Sequence, residues 1–194
     1  MFLKLKMDAD GHPEKMKARL VADGSFQDRS QYEVYDVSSP TAPLESIIST
    51  LKIVVLETRE YEVYDITGAY LNADMKEVIY LIITAKKLIE ILASMFSNLQ
   101  FYMDKAGRVV VVADKAMYGL IESASLWNKA VTKVLIDDGF VTNPCNPCVF
   151  NRVSAGIQTT VVLNVDDLLV TSKDRTHILA VKNLIELHFD DSPQ

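Results

Sequence analysis

The stretch that most constrains the fold of this chain runs over residues 159–172, TTVVLNVDDLLVTS. Two runs of β-branched and apolar residues flank an adjacent pair of acids, Asp166 and Asp167. Each run is typical of a buried strand, so the two together predict a tight hairpin that carries both carboxylates at its tip. A turn accommodates one aspartate readily, whereas burying a second carboxylate is costly without a partner. Solvated turn residues and ligands of a divalent cation both remain open interpretations of this stretch.

A second stretch, EVYDITGAY at residues 62–70, carries a lone aspartate at the end of another short strand-like run. Gly68 follows Asp65 closely and lets the backbone turn sharply there. Tyr70, taken alone, is typical of a core aromatic whose hydroxyl group finds a partner. If the strand that ends at Asp65 lies beside the hairpin of residues 159–172, three carboxylates meet at one end of one sheet.

The motifs DITGAY at residues 65–70 and NVDD at 164–167 resemble the two catalytic motifs of reverse transcriptases. Other short motifs resemble, in order, the landmarks of the copia-type retrotransposon branch. They are KARLV at 17–21, SPT at 39–41, AYLN at 69–72, KAMYGL at 115–120, Trp127, GF at 139–140 and CVF at 148–150. The resemblance extends over roughly residues 4–189, nearly the whole chain.

This resemblance implies an RNA-directed DNA polymerase. Such an enzyme joins a deoxynucleoside triphosphate to the 3′-hydroxyl of a primer that is paired with an RNA or DNA template. The resemblance assigns Asp65, Asp166 and Asp167 as the catalytic residues and as the ligands of Mg²⁺, or of Mn²⁺ in its place. Carboxylates suit this role because Mg²⁺ is a hard cation that prefers oxygen ligands and keeps positions open for phosphate oxygens.

The resemblance also implies seven substrate-binding residues. They are Lys17, Arg19, Ile66, Ala69, Tyr70, Gly119 and Asn164. Arg19 is expected to contact the triphosphate, because its planar guanidinium donates paired hydrogen bonds. The carbonyl of Ile66 is expected to add a metal ligand, and the ring of Tyr70 to exclude a ribose 2′-hydroxyl. The loop that contains Gly119 is expected beside the incoming base, and Asn164 near the primer terminus.

The predicted order of elements is a hairpin, a helix, a strand, a strand–helix–strand insert, a helix, three strands and a helix. Antiparallel strands with helices on one face define an α+β fold. The resemblance implies the palm of a right-hand polymerase with fingers segments, divided as 1–40 (fingers hairpin), 41–72 (palm), 73–117 (fingers-like insert) and 118–194 (palm, with the Asp-Asp hairpin). Thumb, RNase H and integrase regions are expected to be absent, so other parts of a retroelement polyprotein are expected partners.

The first long helix is predicted over residues 44–55, where an apolar stripe should pack against the sheet. The stripe comprises Leu44, Ile47, Ile48, Leu51, Val54 and Val55. Ser39 or Thr41 is expected to cap the start of this helix, with Pro43 near its first turn.

Composition limits the class and the location of the protein. The chain is 49% hydrophobic and 24% charged over 194 residues, which is typical of a globular protein. No apolar run reaches the roughly 18 residues that a membrane span needs, so no membrane partner is expected. Two cysteines without a secretory signal favour a reducing compartment rather than secretion. The resemblance implies a retrotransposon particle in the cytoplasm, or the nucleus. Cys145 and Cys148 lie in a proline-rich loop, and they offer only two of the four ligands of a structural zinc site.

The formal net charge is −6, from 20 basic and 26 acidic residues. This balance predicts weak and salt-sensitive nucleic-acid binding. In addition, Asn164 stands where the resembled family usually has an aromatic residue or histidine. Three interpretations stay open: an active polymerase core, a truncated and inactive retroelement remnant that keeps the fold with weak or no nucleic-acid binding, and an acidic module that binds proteins or metal ions.

Overall fold

A computed structural model describes residues 2–189, with side chains from Lys4 onward. Over this range the strands are β1 (Phe2–Met7), β2 (Pro13–Arg19), β3 (Glu60–Asp65), β4 (Asp74–Ile83), β5 (Val109–Lys115), β6 (Val141–Asn143), β7 (Asn146–Ser154), β8 (Ile157–Asn164) and β9 (Asp167–Ser172). The helices are α1 (Leu44–Leu56), α2 (Lys86–Met95), α3 (Ser123–Asp137) and α4 (Arg175–Phe189), with four short 3-10 turns between them. None of the helices in residues 2–189 is long and apolar enough to cross a membrane. The last five residues of the predicted second palm segment lie outside the described range.

The strands form three antiparallel sheets. The main sheet has the order β3-β9-β8-β7-β6, and two hairpin-like pairs, β1-β2 and β4-β5, stand apart from it. The predicted α+β class with antiparallel strands is therefore confirmed, and the predicted order of elements is correct except that β6 was not predicted. Strand β6 has only three residues and pairs with β7 around a turn at Pro144 and Cys145, so it is too short to show a strand pattern in the sequence.

The core lies on both faces of the main sheet. Val161 and Leu163 of β8 pack with α3 and α4 on one face, whereas Val162, the residue between them, packs on the other. This alternation follows from the two-residue period of a strand, and it explains why β8 reads as a continuous apolar run. Helix α1 covers the second face through Ile47, which packs against that cluster. The expectation that helices lie on one face only is therefore wrong.

The predicted apolar stripe of α1 is largely exposed. Only Val54 of the six predicted residues is buried, and Ile47 is half-buried, while Thr50 completes the inward line. These three positions are three and four residues apart, so only one narrow line of α1 packs against the rest of the protein. The predicted caps are also wrong, because Pro43 occupies the capping position and makes no side-chain capping bond.

The buried face of β8 should dominate the stability of the fold. Leu163 is 1% exposed, whereas Leu187 on α4 is 80% exposed. Leu163→Ala removes the same atoms as Leu187→Ala, but it leaves a cavity in the core. We expect the first change to lower the free energy of unfolding by about 2–5 kcal/mol and the second by less than about 0.5 kcal/mol. Urea denaturation of both variants measures the difference, and similar losses would contradict the assigned core.

Candidate active site

The main sheet places the three predicted catalytic aspartates at one end of adjacent strands. Asp65, the last residue of β3, lies directly opposite Asp167, the first residue of β9. Asn164 at the end of β8 also lies opposite Asp167, so Asp166 occupies the turn between β8 and β9. The backbone N–H of Ile66 donates to the carbonyl oxygen of Asp166 at 2.9 Å and ties the turn to the end of β3.

The turn itself has only two residues, Val165 and Asp166, between the paired Asn164 and Asp167. Val165 has φ +60°, a left-handed conformation that is unfavourable for a β-branched side chain. The indole N–H of Trp127, on α3, donates a hydrogen bond to the carbonyl oxygen of Val165 at 2.6 Å. The tip of the hairpin is thus a strained turn that is anchored from a neighbouring helix.

Asp167 responds electrostatically to the other two carboxylates. Partial burial raises the pKa of Asp167, and the nearby charges of Asp166 and Asp65 raise it further. Within residues 2–189, no Lys, Arg or His side chain forms an ion pair with any of the three. The described residues also contain no group of three acidic, His or Cys side chains that is already arranged to hold a metal ion. The acids are therefore gathered and unpaired, but they do not form a finished cation site.

The raised pKa of Asp167 implies a pH-dependent stability in the absence of metal. An acid with a raised pKa in the folded state binds its proton more tightly when folded. Its contribution to stability is therefore present at low pH and lost as the pH rises from the unfolded value near 4 through the folded pKa. Because asparagine does not ionise in this range, Asp167→Asn should remove this loss of stability at higher pH. At pH 7 without metal, we expect the variant to melt slightly higher than the parent, by roughly 1–2 °C, because solvent screens this exposed site. Melting curves at pH 3 and pH 7 measure the effect, and a variant that melts lower than the parent only at pH 7 would contradict it.

Two tyrosines lie beside the aspartates. Tyr70 is half-buried in a 3-10 turn that starts after Gly68, which adopts φ +65°. Its ring centroid is 4.5 Å from that of Tyr118, at an interplanar angle of 39°. Burial raises the pKa of both phenols, and the carboxylate of Asp166 raises both further. The two rings and the turn aspartate therefore form one continuous surface.

The β1-β2 hairpin reaches this surface through its last residue. The guanidinium carbon of Arg19 lies 5.8 Å from the centroid of the Tyr118 ring, a cation–π arrangement. Nearby, the N–H of Ala22 donates to the carbonyl oxygen of Tyr118 at 2.8 Å. Gly119 follows at φ +96°, and a Cβ atom there would lie 2.0 Å from the carbonyl oxygen of Ala22. Only glycine permits this backbone contact, so Gly119 has a structural role that is independent of any substrate.

The remaining predicted contacts differ in accessibility. Lys17 is exposed on β2, two residues from Arg19, and therefore on the same side of that strand. Asn164 is half-buried, whereas the side chains of Ala69 and Ile66 belong to the core. Their predicted roles in substrate binding stay predictions.

The two cysteines do not share a site. Cys148 is fully buried in β7, where burial raises the pKa of its thiol, while Cys145 is exposed in the turn before it. The expectation of an open loop is wrong for Cys148, because the strand starts at Asn146.

A comparison with protein families identifies the family of this chain. The model of the family described as "Reverse transcriptase (RNA-dependent DNA polymerase)" matches residues 2–192. The chain belongs to this family.

Two curated relatives are Pol polyproteins of plant transposons. The chain is 27% identical over 188 residues to the retrovirus-related Pol polyprotein from transposon TNT 1-94 of Nicotiana tabacum. It is 25% identical over 195 residues to that from transposon RE1 of Arabidopsis thaliana. These alignments cover 96% and 95% of this chain but only 13% and 12% of the relatives. The resemblance to the copia-type branch is thus confirmed, and the chain corresponds to the reverse transcriptase domain of such polyproteins. No solved structure matches the chain.

Sequence reasoning missed the roles of Tyr118 and Trp127. Both residues lie within motifs that resemble the family, but the sequence does not indicate which residues they contact. Tyr118 contacts Tyr70 and Arg19 from distant parts of the chain, and the indole of Trp127 meets the Val165 carbonyl 38 positions away. An amphipathic pattern shows that an aromatic residue is buried, but it does not show which polar group it meets.

Proposed function

We propose that this chain is the catalytic core of an RNA-directed DNA polymerase that extends a primer with deoxynucleotides on an RNA or DNA template. The observation that supports this most is the pairing of Asp65 with Asp167 on adjacent strands, with Asp166 in the turn beside them. Three unpaired carboxylates at one sheet end are costly unless a cation joins them. The family supports the proposed reaction, and this arrangement supports the proposal that these three aspartates carry it out.

The donor chemistry fits Mg²⁺, or Mn²⁺ in its place. Asp65, Asp166 and Asp167 would hold the cation, with the carbonyl of Ile66 as a further oxygen ligand. When bound, the metal activates the primer hydroxyl and offsets the negative charge of the triphosphate. The two acidic neighbours of Asp167 contribute to its raised pKa through charge repulsion. A bound cation relieves repulsion of this kind.

The β1-β2 hairpin is positioned to bind the triphosphate. Arg19 lies over the Tyr118 ring, which orients its guanidinium near the acidic end of the main sheet. Lys17 adds a second positive charge on the same strand face. A guanidinium binds phosphate oxygens through paired hydrogen bonds, whereas an ammonium acts as a point charge. We therefore assign Arg19 to orientation of the phosphates and Lys17 to their attraction.

Tyr70 is the proposed sugar-selecting residue. Its ring is fixed on one side by Tyr118 and lies close enough to Asp166 for that carboxylate to raise the pKa of the phenol. A fixed ring beside the reacting groups excludes the extra hydroxyl of a ribonucleotide by steric conflict. Gly119 and Asn164 complete the proposed substrate surface, near the incoming base and the primer end respectively.

In polymerase terms, we infer that the main sheet with α3 and α4 is the palm and that the β1-β2 and β4-β5 pairs belong to the fingers. The proposed segments are 1–40 and 73–117 for the fingers and 41–72 and 118–194 for the palm. The chain spans only about an eighth of its plant relatives, so other parts of a polyprotein are its proposed partners. The proposed location is a retrotransposon particle in the cytoplasm, or the nucleus.

Primer extension tests this function. The chain is incubated with a primed RNA template and dNTPs, with Mg²⁺, with Mn²⁺ or with EDTA. We expect extension that requires a divalent cation. A folded chain that neither extends the primer nor binds dNTP in the presence of either cation would contradict the proposal and would identify a silent remnant, for which the replacement of an aromatic residue by Asn164 is the first cause to examine.

Binding to the primer–template should be weak and sensitive to salt. The chain has a formal net charge of −6, and five of its exposed basic residues lie on the small β1-β2 hairpin, whereas the others are spread over the described part of the chain. With about two to four phosphate contacts, affinity should fall by roughly 10- to 100-fold between 50 and 200 mM salt. Fluorescence anisotropy of a labelled duplex measures this, and affinity that is unchanged by salt would contradict an electrostatic mode of binding.

A further inference from the structure

We infer that Trp127 is a positioning residue that sets the direction of Asp166 by anchoring the turn that carries it. The inference rests on the proposed function, because it concerns the same metal-binding aspartate. It starts from one contact, in which the indole N–H of Trp127 donates to the carbonyl oxygen of Val165 at 2.6 Å. A buried indole N–H needs a hydrogen-bond acceptor, and here the acceptor belongs to the residue that precedes Asp166.

The acceptor belongs to a residue in an unfavourable conformation. Val165 adopts φ +60°, a conformation in which a β-branched side chain is strained. Such a conformation persists only when its surroundings hold it. A cavity of about 120 Å³ lies beside the turn, lined in part by Tyr70, Trp127 and Val165, so packing does not hold Val165 on that side. The hydrogen bond from Trp127 therefore opposes relaxation of Val165, together with the pairing of Asn164 and Asp167 on either side of the turn.

The bond acts directly on the catalytic residue. The carbonyl of Val165 belongs to the peptide group that precedes Asp166. The carbonyl of Asp166 itself accepts from the N–H of Ile66 at 2.9 Å. Both peptide planes that flank the Asp166 Cα atom are thus anchored, one from α3 and one from the end of β3. Fixing both planes fixes the direction of the side chain between them.

Trp127 is rigid enough for this task. It is 1% exposed, and its ring meets that of Phe189 edge to face, with centroids 5.0 Å apart at 72°. Phe189, on α4, is itself buried. The anchor therefore joins α3, α4 and the catalytic hairpin, and it should behave as other groups do that orient a metal ligand through a second residue.

The test compares Mn²⁺ affinity, measured by electron paramagnetic resonance, among the parent chain, four single variants and one double variant. Trp127→Phe keeps an aromatic ring in the core and removes the N–H donor, together with part of the ring volume, for which a core control is needed. We expect it to weaken Mn²⁺ binding by roughly tenfold, the effect typical of residues that orient metal ligands. Val131→Ala, one turn further along α3 and fully buried, is the matched control. It removes core methyl groups without touching the bond, and it should change the affinity by less than about twofold.

The third variant, Val165→Gly, tests the mechanism. Glycine adopts φ +60° without strain, so the anchor has less to oppose. In the Val165→Gly background, Trp127→Phe should therefore weaken Mn²⁺ binding less than it does in the parent, by about twofold at most. An equal loss in both backgrounds, or no loss in either, overturns the positioning role. Asp166→Asn, the fourth variant, tests the proposed metal site separately from the positioning role of Trp127. If this variant binds Mn²⁺ as tightly as the parent, the proposed metal site fails as well.

The proton–nitrogen resonance of the Trp127 indole provides a second test of its positioning role. Trp127 is the single tryptophan of the sequence, so its indole N–H gives one unambiguous proton–nitrogen resonance. We expect slow solvent exchange of this proton, and a shift of its resonance when Mg²⁺ binds that is absent in Asp166→Asn. Rapid exchange in the folded chain would show that the bond is not held in solution and would overturn the inference.

Discussion

Asp166→Asn is expected to reduce DNA synthesis on the order of 10³-fold or more. Asparagine keeps the size of the side chain and removes its charge, so it binds a hard cation poorly. Asp166 is the acid that lies in the turn and that influences both Tyr70 and Tyr118. Primer-extension rates of the parent and the variant, measured at saturating Mg²⁺, test this directly.

The same variant should lose stabilisation by metal. A tenfold excess of Mg²⁺ over its Kd stabilises a folded chain by about 1.4 kcal/mol, which raises Tm by roughly 3–6 °C at this size. Asp166→Asn should lose most of this gain. Asp10→Asn is the matched control, because Asp10 is exposed in the turn between β1 and β2 and the change removes the same charge. If both variants keep the full metal-dependent gain, Asp166 is not a ligand and the polymerase proposal fails with it.

The strands of the site could be predicted because their local signals agree with the fold. Residues 159–172 form a hairpin since the apolar runs bury both faces of β8 and β9, and the acidic residues interrupt these runs where the two-residue turn of Val165 and Asp166 lies. The pairing of β3 with β9 agrees with the prediction that Asp65 ends a strand beside this hairpin. The catalytic roles of the three acids do not follow from that pairing, and they stay with the proposal.

The conformation of the turn could not be predicted. A left-handed residue in a short hairpin usually announces itself as glycine, asparagine or aspartate, whereas here it is Val165. The sequence carries no local reason for that choice, because the compensating contact comes from Trp127 on a distant helix. A strained position that is supported by tertiary structure is typical of functional sites, and it lies beyond what local propensity can show.

The prediction that the apolar stripe of α1 is buried was wrong for a similar reason. Its apolar stripe has correct helical spacing, and the helix exists over Leu44–Leu56 as that spacing predicts. Periodicity shows which residues share a face, but it does not show how wide the covering surface is. Mainly the line through Ile47, Thr50 and Val54 is removed from solvent, and Ile47 packs against the core of the main sheet. The prediction was therefore right about the helix and wrong about the burial of its apolar stripe.

Tyr70→Ala is expected to reduce the preference for deoxynucleotides over ribonucleotides on the order of 10²-fold. The expectation follows from the position of the ring, which Tyr118 fixes from one side and which lies close to Asp166. Removing the ring opens the space that a 2′-hydroxyl would occupy. The measured quantity is the ratio of kcat/KM for a dNTP to that for the matching rNTP, so a general loss of folded protein cancels from it.

Tyr70→Phe is the control that separates shape from hydrogen bonding. If exclusion is steric, phenylalanine keeps the ring and should keep the preference for dNTPs within about threefold, because only the hydroxyl group is lost. If instead the phenol acts through a hydrogen bond, Tyr70→Phe and Tyr70→Ala should lose preference equally. An alanine variant that discriminates as well as the parent would contradict the sugar-selecting role altogether. Because the ring also contacts Tyr118 and the proposed triphosphate-binding Arg19 lies on that same tyrosine, Tyr70→Ala should in addition raise the KM for the dNTP itself.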